Sequence, residues 1–164
     1  MFRCPTNFRG AKLYVLLFAL ATLAVAQQRE SDLDRYSDDA RRALDAKKWG
    51  EAVEALQHLA RLAPEVPEVH ANLGLAYFFE GQPAEALASF ERAQKLKPQL
   101  PQVAAMIGLS EAELGRCAEA ISILTSAFDR PTDADTGRLS GLHLLRCYGL
   151  YGLIHVRLGL CFRG

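Results

Sequence analysis

The side chains best suited to chemistry in this sequence are its histidines and cysteines. His143 and Cys147 lie four apart, so on a helix they would share one face, as a pair of metal ligands must. No CxxC and no second pair at fixed spacing accompanies them, and His58, His70 and His155 stand singly, so the pair reads as ordinary helix residues. Ser110 with Glu111 and Glu113 sets a hydroxyl beside acids, yet no GxSxG elbow or strand leads into it. Asp38 and Asp39 read as a solvated face. Gly108 and Gly115 do not fall between a strand and a helix, so they form no phosphate loop. The expectation is a chain that is not an enzyme, with no catalytic residue, no metal and no cofactor. Past the first thirty residues the cysteines are Cys117, Cys147 and Cys161. In an oxidising compartment such an odd number leaves one thiol free or pairs it between chains, and the connectivity is open.

The elements that would carry these residues are helices in hairpins. In the stretch from Pro67 to Leu100, apolar residues recur at helical spacing in two runs, Leu73, Ala76, Tyr77 and Phe79, then Ala86, Leu87, Phe90 and Ala93. Gly81-Gln82-Pro83 separates them. Gly81 suits the left-handed residue that ends a helix, and Pro83 the first turn of the next, where a missing N–H costs nothing. The equivalent breaks expected in the flanking stretches are Lys48-Trp49-Gly50 and Gly115-Arg116-Cys117. Gly74, Ala86 and Ala93 are small where two antiparallel helices must approach, while Tyr77 and Phe90 fill the space toward neighbours.

Three frames of this kind can be laid along the chain. The middle one sets His70, Leu73, Gly74, Tyr77, Ala86, Phe90, Ala93 and Pro98 at the consensus spacing of a known repeat. The first, from Leu33 to Val66, places Ala40, Ala52, Leu56, Leu59 and Pro64 in register with it. The third, from Pro101, places Ile107, Gly108, Ala120, Leu124 and Ala127, with Pro131 one place early. Over residues 33–132 the chain resembles the tetratricopeptide repeat (TPR) family. That resemblance implies an all-α solenoid of helical hairpins, with repeats at 33–66, 67–100 and 101–132 and an incomplete fourth over 133–164. It also implies a concave groove lined by the first helix of each repeat, where a protein or peptide segment binds. By position the groove would present Asp34, Ser37, Arg41 and Leu44, then Ala71, Leu75, Phe78 and Phe79, then Gln102, Ala105, Leu109 and Glu113. Arg41, Ala71, Leu75, Phe78, Phe79, Ala105 and Leu109 are the candidate partner contacts. Members of the family that hold a terminal carboxylate use Lys, Arg and Asn here. Asn72 matches one such place, but the neighbouring lysines are missing.

The two ends of the chain differ from its middle. Met1 to Ala26 carries Arg3, Arg9 and Lys12 and no acid, followed by a 14-residue apolar run from Leu13 that closes on Ala24-Val25-Ala26. The run is shorter than the ~20 residues of a membrane-spanning helix, and its end has the small-x-small pattern of a cleavage site. The expectation is a signal peptide over 1–26, a linker over 27–32, and a scaffold exported to the bacterial periplasm or secreted. Membrane contact is then confined to the signal segment if it stays uncleaved. Residues 27–135 hold 12 Lys and Arg against 19 Asp and Glu, an acidic body without the basic stripe that nucleic acid requires. Nothing in the sequence suggests a small-molecule substrate.

At the other end, 133–137 reads as a loop and 138–152 as a helix with Leu142, Leu145, Tyr148 and Leu150 on its apolar side. The twelve residues after it do not read as a second helix. That tail is basic and glycine-rich, and it suggests a fragment or altered frame, a membrane-facing tail, or an edge that docks on a subunit. The alternative function follows from the first of these, the N-terminal repeat portion of a longer enzyme or secretion-complex subunit.

Overall fold

The computed structural model describes residues 8–157. Its seven helices are α1 (Phe8–Asp45), α2 (Trp49–Leu62), α3 (Pro67–Phe79), α4 (Pro83–Leu96), α5 (Pro101–Glu113), α6 (Cys117–Asp129) and α7 (Ala134–Arg157). Each packs on the one before it. In addition α3 touches α5 and α5 touches α7, so the odd-numbered helices form one layer and the even-numbered ones the other. The fold is an all-α solenoid of helical hairpins.

The repetition reaches the backbone. Among the described residues Lys47, Gly81 and Gly115, 34 residues apart, are the positions with positive φ. Just after them the N–H groups of Lys48, Gln82 and Arg116 donate to the carbonyls of Ala43, Tyr77 and Glu111 at 2.8–2.9 Å. These bonds satisfy carbonyls that a helix end would leave orphaned. In the first hairpin the left-handed residue is therefore Lys47, whereas Gly50, expected in the turn, lies inside the first turn of α2. Pro67, Pro83 and Pro101 each open a helix, where the ring presets φ and no N–H is missed.

Within each hairpin the small residue of the first helix meets the bulky one of the second. A methyl group added at Gly74 would lie 2.7 Å from the Phe90 ring, and one at Gly108 would lie 2.9 Å from Ile123 and 3.2 Å from Leu124. In the first hairpin the corresponding residues are Ala40 and Leu56, both buried in one apolar cluster. The core runs as three such clusters along the stack, the second around Phe90 and the third around Leu124.

Two sequence expectations fail at the ends. Residues 27–32 are not a linker but the middle of α1, which runs unbroken into the first hairpin. Gln27, Gln28, Arg29 and Glu30 are good helix formers, and Arg29 donates to the carbonyl of Leu62 at 2.6 Å, which ties this segment to the C-terminus of α2. Residues 1–7 of the expected signal segment lie outside the described range, and Phe18, Leu20, Leu23 and Val25 are exposed. Among the described residues no helix is long and apolar enough to cross a membrane.

At the other end, 133–137 is not a loop, because α7 begins at Ala134. It also continues past Gly152 to Arg157, and residues 158–164 lie outside the described range. The early Pro131 explains the start: the third hairpin is one residue shorter, with C-caps at Ala63, Lys97 and Arg130.

Candidate functional groove

The odd-numbered helices line a concave surface. Between α1 and α3 it holds a cavity of about 370 Å³ bordered by Ser37, Arg41, Leu44, Asp45, Glu68 and Asn72. A second, of about 240 Å³, lies between α3, α5 and α7, with Ala71, Asn72, Leu75, Phe79, Met106 and Leu139 among its walls. Asn72 borders both, so the cavities adjoin. Arg41, Ala71, Leu75 and Phe79 thus line the groove, as does Asn72.

The remaining candidates go elsewhere. Leu109 is 0% exposed in the third apolar cluster, and Ala105 is buried beside a separate cleft formed with Ala104, Ser122 and Ile123. Phe78 is half-buried between the second and third clusters. All three sit on first helices as expected. The arrival of α7 turns their side of α5 and of the α3 end into core.

Phe79 remains exposed at the groove end of α3, with its ring stacked on Trp49 at 4.7 Å and edge-on to Phe78 at 5.5 Å. Such pairs fix ring orientation and contribute about 0.5–1.5 kcal/mol beyond burial.

The wall supplied by α7 begins in its first turn, within 133–137, where the sequence suggests a loop. Asp133 caps the helix: its Oδ1 accepts the N–H of Thr136 at 2.7 Å, and its Oδ2 accepts the Thr136 hydroxyl at 2.7 Å and the Gln102 amide at 3.4 Å. The N–H and hydroxyl of Thr136 hold this carboxyl down at about 2. The available signal was an Asp three residues ahead of a Thr where the proline-led helices of the earlier repeats begin.

The face of α7 also differs from expectation. Leu142, Leu145 and Tyr148 are 62%, 73% and 56% exposed, while Thr136, Ser140, His143 and Cys147 are buried. A next hairpin helix would cover the apolar stripe, and none lies over it among the described residues. Instead α7 is held by polar and covalent contacts. Cys147 is disulfide-bonded to Cys117 at the start of α6. His143 Nε2 donates to Glu113 Oε1 at 2.8 Å, its Nδ1 lies 2.8 Å from the Leu139 carbonyl, and Arg146 donates to Glu113 Oε2 at 3.0 Å. The His143 and Cys147 pair, considered as metal ligands, is therefore occupied by other partners, and no cluster of His, Cys, Asp and Glu suited to a metal occurs among the described residues.

Burial alone would raise the Glu113 carboxyl, but the hydrogen bonds from His143 and Arg146 outweigh it and hold the group below the ordinary carboxylate value. Glu111 is opposite in sign: burial raises it first, then the nearby Glu119, and its Oε2 is buried without a partner. The signs set a pH dependence. A carboxyl lowered on folding stabilises above its unfolded value near 4.5 and loses that contribution as pH falls through its folded value. Stability is therefore expected to fall below pH 4.5 as Glu113 protonates, and Glu113→Gln should flatten that part of the profile. Urea midpoints measured across this range check it, and an identical profile for the variant would contradict the α5–α7 bridge. Glu111→Gln should instead raise the midpoint near neutral pH, since a raised carboxyl opposes folding where it is ionised.

Comparison with known proteins follows this geometry. The tetratricopeptide repeat family model matches residues 67–100. No curated protein matches the sequence. Among solved structures, the chain is similar to the TPR2B domain of yeast Sti1 in its complex with an Hsp70 peptide, at 16% identity and TM-score 0.59, covering 73% of this chain and 98% of that one. The second tetratricopeptide domain of human RPAP3, in complex with the HSP70 peptide SGPTIEEVD, gives the same values. The Yersinia enterocolitica type III secretion translocator chaperone SycD is similar at 18% identity and TM-score 0.61, covering 73% and 86%. At these identities the likeness is one of fold. Residues 67–100 match the tetratricopeptide repeat model, and the described chain shares the helical-hairpin solenoid fold of these tetratricopeptide domains.

Proposed function

We propose that this protein is a non-catalytic interaction scaffold, exported from the cytoplasm, that holds a segment of a partner protein in its concave groove. The observation that carries the reading is the pair of adjoining cavities across α1, α3, α5 and α7, with an apolar floor of Leu44, Leu75, Met106 and Leu139. Concave apolar surfaces with a few polar groups are where extended or helical segments dock. The similar structures named above support it, since two of them hold Hsp70 peptides.

Export is supported by the apolar run closing on Ala24-Val25-Ala26 and by the disulfide, which persists in oxidising compartments.

The test is selection of peptides from a displayed random library on the intact protein. Enriched peptides should bind the wild type and lose about tenfold or more in affinity on Leu75→Glu, which introduces a charge into an apolar floor. The far-UV dichroism of the variant should be unchanged. Peptides that bind both proteins equally would place the binding surface elsewhere.

A further inference from the structure

The groove has a sign. Among the described residues its walls carry one cation, Arg41, which already donates to Asp38 at 2.8 Å. Against it stand Asp45, Glu68, Asp133 and Asp135. Glu68 is paired with Lys97 and Asp135 with Arg138, each at an exposed position. Asp45 and Asp133 meet no cation among the described residues. Asp133 has N–H and hydroxyl partners only, and they favour its ionised form.

Two carboxylates without an ion pair among the described residues therefore stand on the groove walls, Asp45 where α1 ends and Asp133 where α7 begins. Between them lie Asn72 and Leu75. An anionic segment would meet repulsion at both ends. A cationic one would meet complementary charge there and apolar contact in the middle.

We infer that the groove selects a protein segment with an apolar centre and Lys or Arg on both sides, and that it discriminates against acidic segments such as SGPTIEEVD. This rests on the groove reading above and adds the charge of the ligand to it.

The experiment uses the intact protein and dye-labelled synthetic peptides sharing a Leu-Ala-Phe centre, one flanked by lysines and one by glutamates, with SGPTIEEVD as a third. Fluorescence anisotropy should show binding of the lysine-flanked peptide that weakens with added salt, and no binding of the other two. Asp45→Asn and Asp133→Asn should each weaken it about threefold to fivefold, as expected for losing one exposed charge pair. Asn caps a helix as well as Asp does, so the second variant removes charge without unseating α7. Leu75→Gln reports on the apolar floor without changing the charge of the groove.

Binding of the glutamate-flanked peptide that is lost in Leu75→Gln would overturn the charge assignment while leaving the groove reading standing. Binding of the lysine-flanked peptide that ignores all three variants would overturn both. So would absence of binding together with a dimer, seen by sedimentation, that Leu75→Glu dissociates: the occupant would then be a second copy.

Discussion

Phe90→Ala is expected to destabilise the protein by about 3–5 kcal/mol, the range for removing a fully buried aromatic ring. Phe90 is 1% exposed, at the centre of the second apolar cluster, between Ala86, Leu87 and Ala93 of its own helix and Val103 and Ile107 of α5. It is also the residue against which Gly74 fits. The reciprocal change, Gly74→Leu, should cost about 1–3 kcal/mol by overpacking. In the Phe90→Ala background that cost should shrink, because the leucine then enters the space the ring has left. Urea denaturation of the four proteins in this cycle measures it. Additive losses would show that a side chain added at position 74 does not meet the Phe90 ring. Because stability in a short solenoid comes from contacts between neighbours, loss at this middle hairpin should lower the midpoint of the whole transition, without producing a separate early phase.

Loss of the Cys117–Cys147 bond, by Cys147→Ser or by a reductant, should cost about 3–4 kcal/mol, from the loop entropy that a bridge spanning 30 residues withholds from the unfolded chain. The consequence should be local as well. The buried face of α7 carries Thr136, Ser140 and His143 where earlier first helices bury Leu73 or Val103 and Ile107, so it has little apolar contact to fall back on. Hydrogen exchange should accelerate through α7 before α3 and α4. Leu139 and Asp133 would be loosened with it, and with them the far wall of the groove. Cys161→Ser is the control and should leave the melting curve in place. Equal stability of oxidised and reduced protein, or peptide mapping that joins Cys117 to another cysteine, would refute the bridge.

The hairpins were legible because their information is local. Gly74 and Phe90, Gly81 and Pro83, and Pro67 and Pro101 specify helix starts, stops and close approaches within a few turns of chain, and repetition every 34 residues makes each copy a check on the others. The same reasoning reached Arg41, Ala71, Leu75 and Phe79 of the groove, since a position within the repeat determines which way a first-helix side chain faces.

What failed depends on neighbours that the periodicity does not name. Leu109 and Ala105 have groove positions in the repeat but are buried. On α7 the leucine stripe looked like the inner face by hydropathy, yet Leu142 and Leu145 face outward while a histidine and a cysteine point in. Hydropathy ranks a residue by transfer to oil, whereas Cys147 and His143 are buried for bonds to particular atoms, Cys117 Sγ and Glu113 Oε1, about 30 residues away. The sequence by itself determined the kind of repeat, its period and which helices form the inner layer. Only the tertiary structure decided which of those inner residues reach the surface, that the first turn of α7 supplies the far wall, and that Asp45 and Asp133 stand on the groove walls without an ion pair among the described residues. Each of these is set by contacts between repeats, and the consensus of a single repeat does not encode them.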